Sequence, residues 1–274
     1  MIVIRECEGH DELEACVQLQ VETWGYDQTD VIPRKAFLVM QKIGGQVLGA
    51  FDTSLPGTSP HGEPNSLVGF AMSLPGVKPQ DKNGAPPRPY LHSHMLAVRE
   101  AYRNHGLGAQ LKLEQRREAL ARGIRLMEWT FDPLEIKNAH LNIARLGAIS
   151  RRYKADFYGP SSSPLQGGLP TDRLYAEWWL KSPRVTGALR GEVQPMEVIE
   201  RVTVPQTIYQ WKQDPEQRGK AEQLQLKNRK ALQSGFDRGL AVVGYERDAE
   251  GNGSFLLGPW NDAEQGAWSS ITNK

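Results

Sequence analysis

The segment "HSHMLAVREAYRNHGLGAQL", residues 92–111, leads from a strand-like run through a short basic turn into helix-forming residues. Gly106 and Gly108 lie where the turn meets the helix. Bare backbone there permits positive φ and the close approach of an anion. A helix N-terminus also presents N–H groups at the positive end of its dipole. The segment therefore predicts a phosphate-binding turn.

The length and composition of the chain limit the classes of protein to which it can belong. The chain has 274 residues, 39% of them hydrophobic and 24% charged, which suits one large domain or one domain with an appendage. No apolar run approaches the ~18 residues of a membrane span, and "MIVIRECEGH" lacks the features of a secretory signal. A net charge of +1 argues against a nucleic-acid partner. Two cysteines, Cys7 and Cys16, predict free thiols in a reducing, cytoplasmic compartment.

Periodicity predicts a mixed α/β domain over the first two thirds of the chain. A first helix from Asp11 would bury Leu13, Val17 and Gln20 or Val21. The runs "QVLGAFD" and "SLVGFAMSL" predict consecutive strands, and hence antiparallel pairing. The later runs predict, in chain order, a strand "YLHSHMLAV", a helix over 104–121, a strand "IRLMEWTFD", a helix from Pro133 to Gly147 and a strand "RLYAEWWL".

The remaining residues predict a smaller β-α-β-β unit. After "KSPRVTG" come a strand "MEVIERVTV", a polar helix within 214–236, and the strands "GLAVVGYERD" and "GSFLLGPW". We therefore expect one domain over 1–182 and a C-terminal extension over 183–274. The extension could close the acceptor cleft, extend the sheet or form a homodimer contact, and these three roles stay open.

The turn can be compared with known phosphate loops. It contains neither G-x-x-x-x-G-K-[ST] nor G-x-G-x-x-G. It does fit [R/Q]-x-x-G-x-[G/A] as Arg103-Asn-His-Gly106-Leu-Gly108, directly after a strand. This resembles the acyl-CoA-binding turn of the GNAT superfamily of N-acyltransferases, whose order of elements residues 1–180 also follow.

The resemblance implies a GNAT fold, a bound acyl-CoA donor such as acetyl-CoA, and no metal. Pyrophosphate would be bound by backbone N–H groups of Arg103, Asn104, His105, Gly106, Leu107, Gly108 and Ala109. Pantetheine would pair with Leu96, Ala97 and Val98 and contact Asn138 and Asn142, which lie four apart on one helix face. Lys112, Arg116 or Arg103 would meet the 3′-phosphate. The Leu96 N–H would stabilise the oxyanion.

The two histidines are the candidate bases. His92 and His94 lie two apart on a strand, so both side chains leave by one face. Imidazole titrates near neutral pH and can take the proton of an attacking amine, directly or through water. The pattern His-x-His-x-Leu-Ala-Val resembles the strand of arylalkylamine N-acetyltransferases, in which such a pair feeds a proton relay.

The helix-four tyrosine, which protonates the departing thiolate in much of the family, is replaced here by Ile143. Tyr153 is our first substitute as catalytic acid, with Tyr158 and His140 as alternatives. CoA thiol is itself acidic enough to leave without a dedicated acid. Glu128 and Asp132 are further candidates for a base or an amine anchor, although Asp132 also suits a helix cap.

The acceptor would lie against the connection between the first two helices, "TWGYDQTDVIP". Trp24 and Tyr26 could form an aromatic wall, and Asp27 and Asp30 could hold a substrate ammonium. The chain as a whole resembles a bacterial branch of predicted GNAT enzymes, for which a small primary amine, an amino acid among them, is the expected acceptor.

Two functional classes stay open. The first is an acyl-CoA-dependent N-acyltransferase, or its O-acyl variant, that acts by direct attack in a ternary complex. The second is a catalytically inactive CoA-binding regulatory or interaction protein with the same fold, which the absent tyrosine favours. Both predict stabilisation by CoA, whereas only the first predicts turnover.

Overall fold

The computed structural model describes residues 1–79, 86–192 and 196–261. These residues pack as two units. Unit 1 holds the described residues of Met1–Gln80, Pro86–Met127 and Ser162–Pro164. Unit 2 holds Glu128–Ser161 and the described residues from Leu165 onward. The predicted boundary between residues 182 and 183 stays a prediction, because it divides the chain by sequence and the units divide it by packing.

Unit 1 is an antiparallel sheet with helices. Its strands are β1 (Ile2–Glu6), β2 (Gln46–Asp52), β3 (Leu67–Lys78) and β4 (Arg88–Val98). Its helices are α1 (Gly9–Trp24), α2 (Arg34–Lys42) and α3 (Leu107–Ala121). The strands pair in chain order, β1 with β2, β2 with β3 and β3 with β4, each time antiparallel. The prediction of consecutive antiparallel strands is confirmed.

Two hydrophobic clusters make up the core of unit 1. One joins side chains of α1 and α2, such as Leu19 and Phe37, to β3 and β4. The other joins Leu107 and Leu111 of α3 to β2, β3 and β4. In α1 the predicted Leu13 and Gln20 are buried together with Cys16 and Leu19, whereas Val17 is half-buried and Val21 is exposed.

Unit 2 carries two groups of elements. The first comprises β5 (Leu126–Phe131, which begins in unit 1), α4 (Ile136–Ala139), β6 (Tyr153–Lys154) and β7 (Arg173–Trp179). The second comprises α5 (Pro183–Leu189), β8 (Glu200–Val204), α6 (Ile208–Gln213), α7 (Arg218–Asp237), β9 (Leu240–Arg247) and β10 (Gly253–Pro259). In the second group β10 lies between β8 and β9 and is antiparallel to both.

The predicted β-α-β-β pattern of the C-terminal part is confirmed, with one difference. The predicted helix within 214–236 is α7, and a break separates it from a further short helix, α6, that was not predicted. Pro215 follows Asp214 at the break, and a proline disfavours helical backbone in the residue before it.

Two other helices begin later than predicted. The helix predicted from Asn104 begins at Leu107, because Asn104 and Gly106 have φ of 65° and 79°, in the left-handed region. The helix predicted from Pro133 begins at Ile136, because the Asp132 carboxylate accepts the Leu134 N–H at 2.8 Å and forms a turn instead.

Candidate active site

Strand β4 contains a bulge at the predicted histidine pair. Ser73 is opposite Ser93 and Met72 is opposite Met95, so His94 is an extra residue in β4. His92 and His94 are both half-buried, and their ring centroids lie 5.9 Å apart. The two predicted bases are therefore neighbours on this strand.

The bulge also changes which side chains face α3. Ser93 faces α3 through Lys112, and Leu96 packs with Leu107 and Leu111 of the same helix. In a regular strand, residues 93 and 96 would point to opposite faces. The extra residue brings Ser93 and Leu96 to one face, so the bulge sets the orientation of β4 on both sides of His94.

Burial lowers the pKa of His94 from its ordinary value. A lowered pKa favours the neutral imidazole, the form that can accept a proton from an ammonium group. This charge state is the one that a general base requires.

Lys112 is buried beneath β4 and was wrongly expected to meet a 3′-phosphate. Its Nζ donates to Ser93 Oγ at 2.7 Å, and Ser93 Oγ donates to Gln115 Oε1 at 2.9 Å. The residue is only 4% exposed, and burial lowers the pKa of Lys112 to about 7. Lys112 lies three residues before Gln115, on the buried face of α3.

Replacing Lys112 by methionine is expected to stabilise the protein at pH 7. The folded pKa of about 7 lies below the ordinary 10.5, so the unfolded chain binds the extra proton between these values. Wild-type stability should then rise by about 1.4 kcal/mol per pH unit relative to Lys112→Met over that window. Thermal unfolding of both proteins from pH 6 to 10 measures this difference. A pH-independent difference would contradict it.

The turn before α3 presents successive backbone donors. Six successive backbone N–H groups have no hydrogen-bond acceptor among the described residues. They belong to Asn104, His105, Gly106, Leu107, Gly108 and Ala109. The first N–H groups of a helix lack intrahelical acceptors, and positive φ at Asn104 and Gly106 curves the turn into a concave row of donors. An anion with several oxygens, such as a pyrophosphate, fits this row.

Arg103 differs from the expectation for this turn. Its N–H donates to Glu100 O at 3.1 Å, and its Nε donates to Val98 O at 2.9 Å. The row of available backbone donors therefore begins at Asn104, and Arg103 holds the end of β4.

The two glycine positions of the turn differ in whether the backbone conformation requires glycine. Gly106 needs glycine for its backbone, since φ is 79°, although a Cβ there would meet no atom within 4 Å. Gly108 is helical, and a Cβ there would touch only Leu96 Cδ2 at an ordinary 3.4 Å. Gly106 thus shapes the turn, whereas Gly108 keeps the space above the first helical turn open.

In unit 2 the segment after α4 forms a π-helical turn, His140–Arg145. Asn142 is buried and Asn138 is exposed, so the two predicted pantetheine contacts do not share one helix face. The wider π turn explains the difference from the regular helix that the sequence predicted. Ile143 is fully buried.

Tyr153 is hydrogen-bonded to the carboxylate of a buried ion pair. Its hydroxyl donates to Asp172 Oδ2 at 2.5 Å, and Asp172 accepts two hydrogen bonds of 2.8 Å from Arg229. Burial, with the bond to Asp172, raises the pKa of Tyr153. A phenol whose proton is held this way is a poor acid, so this setting disfavours Tyr153 as the proton donor and favours a role in stability.

The predicted carboxylate alternatives also have partners. Glu128 is bound by Arg152 at 2.6 Å, and Asp132 is bound by Lys212 at 3.2 Å. Both contacts lie within unit 2 and neutralise the acid. These ion pairs disfavour Glu128 and Asp132 as anchors for an amine.

The loop between α1 and α2 has the predicted aromatic pair. Trp24 and Tyr26 are stacked with centroids 5.5 Å apart, and both are half-buried. Asp27 accepts from the Thr29 hydroxyl at 2.5 Å, and Asp30 accepts from the Ser162 hydroxyl at 2.6 Å. The aromatic wall is present, while both carboxylates already hold this loop together.

The described ranges, residues 1–79, 86–192 and 196–261, contain neither a cluster of metal ligands nor a membrane-spanning helix. No group of three or more His, Cys, Asp or Glu side chains in these ranges is arranged to hold a metal ion. None of the described helices is long and apolar enough to cross a membrane.

Residues 18–142 match the model of the acetyltransferase (GNAT) family. A comparison with curated proteins gives no match. NAA60 of Arabidopsis thaliana in complex with acetyl-CoA has a TM-score of 0.51 at 17% identity, over 65% of this chain and 99% of that one. The same enzyme with a bisubstrate analogue has a TM-score of 0.50 at 18% identity, over the same shares.

A third solved structure, the ribosomal-protein-S18-alanine N-acetyltransferase of Escherichia coli, has a TM-score of 0.46 at 16% identity, over 65% of this chain and 92% of that one. At such identities the likeness to NAA60 is one of fold, and it agrees with the family match over α1 to the π turn. Residues 18–142 are therefore similar to the GNAT acetyltransferase family, and this match supports membership of the GNAT superfamily.

Proposed function

We propose that the chain transfers an acyl group, acetyl or succinyl, from CoA to the primary amine of a small molecule, an amino acid among the candidates. Membership of the GNAT superfamily supports acyl-CoA-dependent N-acyltransferase activity in general. The observation that carries the proposal is the row of backbone donors from Asn104 to Ala109, which suits the pyrophosphate of CoA.

The reaction is a direct attack within a ternary complex. His92 or His94 removes a proton from the acceptor ammonium, directly or through one water. The neutral nitrogen attacks the thioester carbonyl, the N–C bond forms, and the Leu96 N–H donates to the developing oxyanion. The C–S bond then breaks, the nitrogen gives its extra proton to water, and the thiolate takes a proton from water or from the protonated histidine.

The position of Leu96 within unit 1 supports this proposed role. It follows the bulged His94 by two residues and packs against the first turn of α3, where a Cβ on Gly108 would touch its Cδ2. One short segment of β4 therefore joins the candidate base, the oxyanion donor and the anion-binding turn. Asn138 and Asn142 remain predicted pantetheine contacts.

Replacing Gly106 by alanine is expected to weaken acetyl-CoA binding at least tenfold. Left-handed backbone costs an alanine about 1–2 kcal/mol, which distorts the row of donors, and the methyl group projects from it. Calorimetric titration with acetyl-CoA measures the change.

Gly123→Ala is the matched control, because Gly123 follows the other end of α3, has φ of 76°, and likewise has no atom within 4 Å of a Cβ. It should cost similar stability and leave the affinity unchanged. Equal losses of affinity in both variants would show that the turn before α3 is not the CoA site.

The alternative is an inactive CoA-binding protein with a regulatory or interaction role. It is favoured by the replacement of the expected tyrosine by buried Ile143, and by the commitment of Tyr153 to Asp172. This alternative predicts the same effect of Gly106→Ala on binding but no release of thiol with any acceptor.

A further inference from the structure

Several hydrogen bonds hold an exposed loop of unit 2, residues 154–159, in place. Asp156 has φ of 46°, a strained value for a residue with a side chain. Its carboxylate accepts the Thr171 N–H at 3.2 Å, and its own N–H donates to Asp172 Oδ1 at 3.0 Å. The N–H groups of Phe157 and Tyr158 donate to Thr171 O and Thr171 Oγ1, both at 2.9 Å.

This support holds two aromatic rings at the surface. The Phe157 side chain is 39% exposed and the Tyr158 side chain is 46% exposed. The rings meet edge to face with centroids 4.6 Å apart, and Phe157 also meets Tyr175 at 5.8 Å. The Tyr158 hydroxyl lies 3.0 Å from Thr130 Oγ1. Rings fixed in advance lose little entropy when a ligand covers them.

A guanidinium group lies beside these rings. Arg173 Cζ is 5.3 Å from the Tyr158 ring centroid, and Arg173 is half-buried. Its Nη1 donates to Asp172 O at 2.8 Å and its Nη2 donates weakly to Gln166 Oε1 at 3.4 Å. Within the described ranges Arg173 makes no ion pair with a carboxylate.

The neighbouring arginines of unit 2 differ from Arg173 in this respect. Arg151 is paired with Glu177, Arg152 with Glu128, and Arg229 with Asp172. The charges of these three are neutralised by buried acids, whereas Arg173 donates only to uncharged oxygens. The positive charge next to the exposed rings is therefore the one that a ligand anion would neutralise, and a guanidinium suits the planar, two-oxygen geometry of a carboxylate.

We propose that Arg173, Phe157 and Tyr158 form a binding site for a small molecule in which a carboxylate is joined to an apolar body. The carboxylate pairs with the Arg173 guanidinium, and the apolar body lies on the two rings. The proposal of a binding site rests on the contacts of these three residues.

Calorimetric titration with 3-phenylpropionate, phenethylamine and acetate tests the site without requiring turnover. The first probe has carboxylate and ring, the second has ring and ammonium, and the third has carboxylate alone. We expect 3-phenylpropionate to bind at least tenfold more tightly than either of the other two. Arg173→Gln should weaken it at least tenfold, and Arg173→Lys, which keeps the charge without the planar fork, should weaken it less.

Arg201→Gln is the control, because it removes the same charge from an exposed ion pair with Glu246 elsewhere in unit 2. It should leave binding unchanged. Equal binding of phenethylamine and 3-phenylpropionate, or equal effects of the Arg173→Gln and Arg201→Gln changes, would overturn the site. Failure of thiol release with every amine tested, with 3-phenylpropionate still bound through Arg173, would contradict the proposed function and leave the site supported.

Discussion

His92→Ala is expected to lower turnover about 10²–10⁴-fold, the range for loss of a positioned general base, while acetyl-CoA affinity stays within about twofold. The acceptor nitrogen must lose a proton before it can attack the thioester. His92 lies on β4, four residues before Leu96 and away from the donors of the Asn104 to Ala109 turn, so binding of the donor does not depend on it. Steady-state kinetics across pH 5–9, together with calorimetric titration of acetyl-CoA, separate the two effects.

Two further variants sharpen this experiment. His10→Ala removes an exposed histidine of α1 and should change neither quantity. If His94 is the base, the loss follows His94→Ala, and the acid limb of the wild-type profile lies below pH 6.5, because burial lowers the pKa of His94. An unchanged pH–rate profile in both His92→Ala and His94→Ala would reject the assignment of a base to β4.

Asp172→Asn is expected to destabilise unit 2 by about 3–5 kcal/mol, the usual cost of removing one partner from a buried ion pair. Asp172 is fully buried and accepts from Arg229, from the Tyr153 hydroxyl and from the Asp156 N–H. The amide would leave the Arg229 charge without a counterion and replace one acceptor oxygen by a donor. Thermal and urea unfolding measure the loss.

The exposed pair of Arg190 and Glu192 provides the comparison. Glu192→Gln should leave the unfolding midpoint nearly unchanged, because solvent screens surface ion pairs. A small effect of Asp172→Asn, similar to that of Glu192→Gln, would mean that the network around Tyr153 does not stabilise the fold. The poor acidity that we assign to Tyr153 would then lose its basis.

Features set by local chemistry were predictable from the sequence. Glycines, proline and apolar alternation indicated the strands of unit 1 and the turn before α3, because each acts within a few residues. The later start of α3 has the same kind of cause, since an asparagine can adopt the left-handed region that Asn104 adopts. The match of Arg103 to Gly108 with a phosphate-binding pattern identified the family.

Features set by tertiary contacts were not predictable. The bulge at His94 depends on the register between β3 and β4, which no short segment encodes. Lys112 was expected to meet a 3′-phosphate, whereas it is buried and donates to Ser93 of β4, which in turn donates to Gln115. The support of the exposed Phe157 and Tyr158 comes from Thr171 and Asp172, more than ten residues away. Such distant partners decide which polar side chains are structural and which can meet a ligand.

The most direct test of the central claim is release of CoA thiol from acetyl-CoA and succinyl-CoA in the presence of amino acids, arylalkylamines, polyamines and aminoglycosides. An acyl-CoA-dependent N-acyltransferase should release thiol with one class of amine well above the rate of thioester hydrolysis, and His92→Ala should suppress that release. No release above hydrolysis with any acceptor, while acetyl-CoA still binds in a manner sensitive to Gly106→Ala, would contradict the enzyme and support the inactive CoA-binding protein.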